Sequence, residues 1–119
     1  MRVPFGTVLL TVLAFALTLG LTVRVYAVHG SSMEPTLSDG QVVVVNRLAY
    51  LLRSPRPGDL VVLEHPLRGQ ELMIKRISSL QEQNSIVYRG DNPGESVDSR
   101  HFGSISRQAL RGRVVFIGR

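Results

Sequence analysis

The sequence of 119 residues contains no cysteine and few aromatic side chains, with three tyrosines, four phenylalanines and no tryptophan. Without cysteine, the chain has neither a disulfide framework nor thiol chemistry. The aromatic residues are not interleaved with arginines, as a base-stacking nucleic-acid surface requires. His29, His65 and His101 lie far apart and match no metal-ligand spacing. We therefore expect no metal, no other cofactor and no nucleic-acid partner.

Lysine is also scarce, because Lys75 is the only lysine among fourteen cationic side chains. It lies within an apolar run at 71–80 (ELMIKRISSL). A guanidinium effectively never loses its proton, whereas a buried ammonium does. Strand alternation places Met73 and Ile77 on the same face as Lys75, where desolvation would lower the lysine pKa from about 10.4. A lysine at a sheet edge, with its ammonium in water, fits the same pattern.

Charge is absent between residues 3 and 23, a run rich in Leu, Val, Ala and Phe. At about 1.5 Å per residue, a helix of this length spans roughly 31 Å, enough to cross a bilayer core of about 30 Å. We predict a transmembrane anchor at 3–27 and an extracytoplasmic domain at 28–119. A cleavable signal peptide ending at Ala27 is the alternative. Scattered arginines give a net charge of +5, which favours a domain near anionic lipid headgroups.

Short β-branched segments, separated by glycine and proline turns, predict a mostly β domain after the anchor. We expect a small, twisted or partly closed antiparallel sheet. Its predicted strands are 41–47, 60–65, 71–78, 85–89 and 113–117, and its predicted helical turns are 50–53 and 107–110.

Two polar segments in this domain contain candidates for chemistry. Ser31 and Ser32 follow Gly30, and such a turn can expose a serine hydroxyl together with a backbone N–H, as a nucleophile and an oxyanion donor. A polar linker fits these residues equally well. The segment 89–103 is too polar and glycine-rich for a core, and long ordered loops in small domains are often functional.

Together these segments resemble the type I signal peptidases in four motifs that follow the membrane segment in the family's order. The nucleophile motif S-M-x-P-T-L is matched at 32–37, and a Gly-Asp-apolar motif at 58–62. The lysine motif is matched at 73–76 (MIKR). The final motif, G-D-N-x-x-x-S-x-D-S-R-x-[WFY]-G, is matched at every fixed position of 90–103.

The resemblance implies a membrane serine endopeptidase with a Ser/Lys dyad. Ser32 would attack the scissile carbonyl, and neutral Lys75 would take its proton and return one to the leaving amine. Ser96 matches the family serine that orients the lysine. Asp98 and Arg100 match residues that hold the shape of the site.

The resemblance also implies the substrates and the location. The family removes signal peptides from exported preproteins with small side chains at the first and third positions before the cut, bound as extended strands. Met33, Leu37 and Ile74 match positions that line the substrate pockets. The lipid bilayer would be the other partner, with the catalytic domain outside the plasma membrane; an organellar inner membrane fits as well.

Two features depart from the larger members of the family. Gly30 occupies a position where some members carry an oxyanion-hole Ser or Thr, although other members also have glycine there. Only twenty residues separate Lys75 from Ser96, which leaves a hairpin at 79–85 and no room for a cap domain. Mitochondrial inner-membrane peptidases and the proteases that mature nickel superoxide dismutase are similarly compact.

These compact relatives make a maturation protease dedicated to one client an alternative function. An inactive, membrane-anchored binding module is a second alternative, although Ser32 and Lys75 are both present. The self-cleaving SOS repressors share a Ser/Lys fold with the family, but they lack the membrane segment and the final motif.

Overall fold

The computed structural model describes all 119 residues and begins with one long helix, α1 (Phe5–Thr22). This apolar helix is long enough to cross a membrane by length and composition, and the rest of the chain buries none of it. The hydroxyls of Thr11, Thr18 and Thr22 donate to carbonyls of the preceding turn, so these side chains add no unpaired polar group. The division of the chain into an anchor at 3–27 and a domain at 28–119 stays a prediction.

Seven strands form one antiparallel sheet in the order β1-β2-β7-β3-β4-β5-β6. The strands are β1 (Val23–Ala27), β2 (Val42–Asn46), β3 (Leu60–Glu64), β4 (Leu72–Gln81), β5 (Ser85–Arg89), β6 (Ile105–Ser106) and β7 (Leu110–Ile117). Two short helices, α2 (Ala49–Leu52) and α3 (Ser99–Phe102), lie in the connections. The predicted fold class, a partly closed β sheet with one apolar N-terminal helix, is confirmed.

Two strands were not expected from the sequence. β1 continues the apolar run of α1 without a turn residue, so the last five residues of the predicted anchor segment belong to the sheet and pair with β2. β6 has only two residues and pairs with β5. A strand that short has no readable alternation.

Apolar side chains pack on both faces of the sheet and form two clusters. The first contains Val28, Met33, Leu37, Val43, Val45, Val62 and Val114. The second contains Ala49, Tyr50, Val61, Leu63, Ile77, Ile86 and Tyr88. Met73 packs against the second cluster and Ile74 against the first, as the alternation of β4 predicts. Lys75 lies opposite Val61 of β3, a buried residue of the second cluster.

Asp59 of the Gly-Asp motif fixes α2 to the start of β3. Its carboxylate accepts hydrogen bonds from the Tyr50 hydroxyl at 2.8 Å and from the Arg53 guanidinium at 3.0 Å. The backbone N–H of Arg56 also donates to it. This motif therefore has a structural function, because it closes the turn between α2 and β3.

Candidate active site

Lys75 is buried in the middle of β4, with 4% of its surface exposed. Its Nζ donates a hydrogen bond to Ser96 Oγ at 3.0 Å. Burial lowers the pKa of Lys75, and the nearby carboxylate of Asp98 opposes this effect only in part. The ammonium is therefore easier to deprotonate than that of an ordinary surface lysine.

Asp98 lies beneath this pair, with no exposed surface, and organises the final motif. It accepts hydrogen bonds from Ser96 Oγ at 2.8 Å, from the Gly90 N–H at 3.0 Å and from Arg100 Nε at 2.9 Å. Burial disfavours its charge, but these hydrogen bonds together hold the pKa of Asp98 far below its usual range. The result is a chain of contacts from Arg100 through Asp98 and Ser96 to Lys75.

Ser32 lies in the turn after β1, and its side chain is partly exposed. Neither its hydroxyl nor its backbone N–H makes a hydrogen bond within the chain. Its carbonyl accepts from the backbone N–H of Asn92 at 2.9 Å, and the Asn92 side chain donates to the Ser31 carbonyl at 3.0 Å. Asn92 of the final motif thus binds the carbonyl groups of the serine turn, and the hydroxyl and backbone N–H of Ser32 stay free to donate.

Gly90 allows the serine turn and the lysine cluster to approach each other. A Cβ at this position would lie 2.2 Å from Ser96 Oγ and 2.5 Å from the Ser32 carbonyl oxygen, far inside contact distance. No other residue type fits there without displacing one of the two segments. The glycine at the start of the final motif therefore has a steric cause in this chain.

Asp91 joins three of the four motifs in one ionic network. It binds Arg76 through two parallel hydrogen bonds, Nε to Oδ1 at 2.9 Å and Nη2 to Oδ2 at 2.7 Å. The Thr36 hydroxyl donates to the same carboxylate at 2.5 Å. The Arg76 guanidinium also donates to the carbonyl of Gly58, which brings in the fourth motif. This arrangement links the serine turn to the lysine strand.

We expect Asp91→Asn to lower the free energy of unfolding by about 1–2 kcal/mol, because it breaks a bidentate, charge-assisted contact. Urea unfolding of the full chain in detergent, followed by circular dichroism, measures this change. The matched control is Glu71→Gln, which removes the exposed ion pair with Arg68 and should change stability by less than about 0.5 kcal/mol. Equal effects of the two substitutions would show that Asp91 does not join the motifs energetically.

A mostly apolar cleft of about 500 Å³ contains both Ser32 and Lys75. The other lining residues are Val25, Tyr26, Ala27, Val28, His29, Met33, Val62, Leu72, Met73 and Ile74. Of the three predicted pocket residues, Met33 and Ile74 line this cleft. Leu37 does not, because its side chain is fully buried in the first core cluster.

Sequence reasoning missed the contribution of β1 to the cleft. Residues 25–29 form one of its walls, although the prediction assigned most of them to the anchor. The signal was present in Tyr26, a polar-tipped aromatic residue at the end of an apolar run. Sequence reasoning also did not identify Gly90 and Asp91 as the residues that join the serine turn to the lysine strand and the final motif. No group of three or more His, Cys, Asp or Glu side chains is arranged to hold a metal ion.

Comparison with known proteins shows the family of this chain. The family described as "Signal peptidase, peptidase S26" matches residues 3–83, well over half of the chain. The chain therefore belongs to the type I signal peptidase family. The matched range includes Ser32 and Lys75 and ends before the final motif.

Individual relatives include bacterial and mitochondrial proteins. "Signal peptidase I" of Aquifex aeolicus is 35% identical over 77 residues, which cover 65% of this chain and 30% of the relative. "Mitochondrial inner membrane protease subunit 1" of Mus musculus is 28% identical, with coverage of 73% and 64%. "Probable signal peptidase I-1" of Synechocystis sp. is 34% identical, with coverage of 68% and 50%. The matches thus span 30% to 64% of the length of these three relatives.

Proposed function

We propose that this protein is a membrane-anchored serine endopeptidase that removes signal peptides from exported preproteins with a Ser/Lys dyad. The observation that carries the proposal is the environment of Lys75. The chain's only lysine is buried, its pKa is lowered, and it lines the same cleft as Ser32. Family membership supports the same reaction class.

The chemistry would proceed in two steps. In the first, Ser32 Oγ attacks the scissile carbonyl carbon while neutral Lys75 accepts the hydroxyl proton. The tetrahedral intermediate then collapses, the C–N bond breaks, and Lys75 returns the proton to the leaving amine. In the second, Lys75 accepts a proton from a water molecule that attacks the acyl-serine ester, the bond from the carbonyl carbon to Ser32 Oγ breaks, and Lys75 returns the proton to Ser32 Oγ. Ser96 would hold Lys75 in position, and the fully paired Asp98 would hold Ser96.

The backbone N–H of Ser32 would stabilise the oxyanion, since no group in the chain occupies it. The N–H of Gly30 is not a second donor in this conformation, because it binds the Asp39 carboxylate at 2.8 Å. Gly30 also has a φ of +84°, a backbone conformation that disfavours a Ser or Thr there. We therefore propose an oxyanion site that rests on one backbone donor of this chain.

We propose that the cleft binds an extended substrate with small side chains. β4 pairs with β5 only from Arg76 onward, so residues 72–75 have an open edge, and β1 is an edge strand of the sheet. A substrate strand would add to such edges through backbone hydrogen bonds. Met33 and Ile74 would make the pockets shallow. We place α1 across the plasma membrane, with the sheet on the extracytoplasmic side.

Cleavage of a preprotein with an Ala-x-Ala site, by the full chain in detergent, tests this proposal. Mass spectrometry of the products should show one cut after the second alanine. Ser32→Ala should abolish the cut, whereas Ser31→Ala should retain it, because the Ser31 side chain makes no hydrogen bond in the chain. Cleavage that survives Ser32→Ala would refute the assignment of the nucleophile.

The relative named as a mitochondrial inner membrane protease supports keeping one alternative, a maturation protease with a dedicated client. This alternative predicts a folded protein that does not cleave the Ala-x-Ala preprotein. The same protein would cleave one natural secreted or exported protein, and Ser32→Ala would abolish that cleavage. If the protein is an inactive binding module, neither the Ala-x-Ala preprotein nor any natural secreted or exported protein is cleaved in a Ser32-dependent manner.

A further inference from the structure

The junction between α1 and the sheet leaves no linker. α1 ends at Thr22, β1 begins at Val23, and the N–H of Arg47 donates to the Thr22 carbonyl at 2.7 Å. Eighteen residues of helix span about 27 Å, close to the thickness of a bilayer core. If α1 spans the membrane as proposed above, the adjoining surface of the domain lies directly on the lipid headgroups.

A groove of about 240 Å³ opens at this junction. Four leucines and two arginines line it. The leucines come from the end of α1, from the segment before α2, from α2 itself and from the start of β7. The lining residues are Leu21, Leu48, Leu51, Leu110, Arg47 and Arg111. The groove therefore has an apolar floor at the depth where α1 leaves the membrane, with cations beside it.

The groove continues into a second cavity of about 600 Å³, away from α1. The two share Arg47, Leu51, Leu110 and Arg111, and the second adds Arg107 and several uncharged polar side chains. No Asp or Glu lines either cavity. Arg111 does pair with Glu64, and Arg107 donates to the Tyr50 carbonyl, whereas the Arg47 side chain has no partner within the chain.

The surface beside the groove is unusually apolar. α2 buries Ala49 and Tyr50 against the second core cluster and turns Leu51 and Leu52 outward, with 79% and 84% of their surfaces exposed. Two adjacent leucines this exposed have no packing function in the domain. Next to the end of an apolar helix, they are positioned to enter the interfacial region of a bilayer.

We propose that the groove binds one anionic phospholipid of the membrane that α1 crosses. Arg47, with Arg107 and Arg111, contacts the headgroup phosphate, and the acyl chain lies against Leu48 and Leu51. Arginine matches a phosphate through parallel hydrogen bonds, and the leucines match hydrocarbon. This inference rests on the proposed membrane anchoring, but it does not depend on protease activity.

The absence of native tryptophan permits a direct test. Leu52→Trp is introduced into the full chain, which is then reconstituted in two sets of phosphatidylcholine vesicles. One set contains a small fraction of brominated phosphatidylcholine, and the other contains the same fraction of brominated phosphatidylglycerol. We expect stronger quenching by the brominated phosphatidylglycerol. The position control is Ser38→Trp, an exposed site before β2, at the end of that strand remote from α1, which should be quenched by neither lipid.

The headgroup contact is tested by adding Arg47→Gln to Leu52→Trp. We expect the apparent affinity for phosphatidylglycerol to fall about fivefold, the effect of one cation near an anionic surface. Since Arg47 has no side-chain partner, the fold should be unaffected, and circular dichroism verifies this. Arg56→Gln, which removes another exposed arginine outside the groove, is the matched control and should keep the preference.

Three outcomes would overturn the proposal: no quenching at position 52, equal quenching by the two lipids, or an unchanged preference in Arg47→Gln. Preprotein cleavage is measured on the same vesicles. Cleavage without lipid preference would refute the lipid site and would still support the proposed protease activity. Lipid preference in a protein that cleaves nothing would support the site and count against the protease.

Discussion

Lys75→Met abolishes preprotein cleavage while the protein remains at least as stable as the wild type at neutral pH; this is the first result we expect. Loss of the general base should lower kcat by roughly 10⁴-fold or more. The stability follows from burial, which makes the charged lysine unfavourable and lowers its pKa. Ser96 keeps its hydrogen bond to Asp98 after the substitution, so no buried polar group is left unpaired.

The pH dependence of this pair of proteins has a defined sign. The folded-state pKa of Lys75 is below its unfolded value of about 10.4, so the unfolded chain binds more protons between the two pKa values. The wild type therefore gains stability relative to Lys75→Met as the pH rises through this window. Cleavage by the wild type should rise with pH and level off once Lys75 is neutral. Urea unfolding and initial rates across pH measure the two effects.

Lys75→Arg is the control that separates charge from basicity. It retains a cation but cannot act as a base at physiological pH, so it should be as inactive as Lys75→Met. An active Lys75→Arg protein would eliminate the dyad. A Lys75→Met protein that is strongly destabilised at neutral pH would show instead that the hydrogen bond to Ser96 is chiefly structural.

Gly90→Ala has the second large expected effect, and unlike Lys75→Met it damages both stability and cleavage. The added methyl group would lie within 2.5 Å of Ser96 and of the Ser32 carbonyl oxygen, so one segment must move. We expect a loss of about 2–3 kcal/mol in the free energy of unfolding, as in overpacked cores. Displacing the serine relative to the lysine by about 1 Å should also slow cleavage roughly 100-fold.

Gly94→Ala is the matched control for this substitution. Gly94 belongs to the same loop, has open space at its Cβ position and has no positive φ. Its replacement should leave both unfolding in urea and the cleavage rate near wild type. If Gly90→Ala behaves like Gly94→Ala, the close approach of the two segments does not control the site.

The sequence was informative where local pattern and local structure agree. The runs in β2, β3 and β5 are short and rich in β-branched residues, and turns beside them contain Gly, Pro or Asp, so the sequence predicts these strands nearly to the residue. The two apolar neighbours of Lys75 on one strand face fit both burial and a sheet-edge position, and the structure shows that Lys75 is buried. The motifs also indicated which polar segments would meet.

What could not be predicted depends on packing between distant segments. β1 reads as a continuation of α1, and only its pairing with β2 makes it a strand. The contact of Thr36 with Asp91 joins residues 55 positions apart, and a linear pattern does not encode that register. Leu37 was assigned to the substrate cleft by its motif position, but the turn after Ser32 directs it into the core.

If α1 spans the membrane and the protein cleaves preproteins as proposed above, the direct passage of α1 into a wall of the cleft determines where along a substrate the cut falls. Val25 begins that wall three residues after Thr22, about 10 Å along an extended strand. A preprotein whose apolar helix ends at the same depth in the membrane must cover the same height before it enters the cleft, which takes about three extended residues. The cleavage position would thus lie at a fixed distance from the membrane surface. Residues inserted between α1 and β1 would increase the distance between the membrane surface and the cleft.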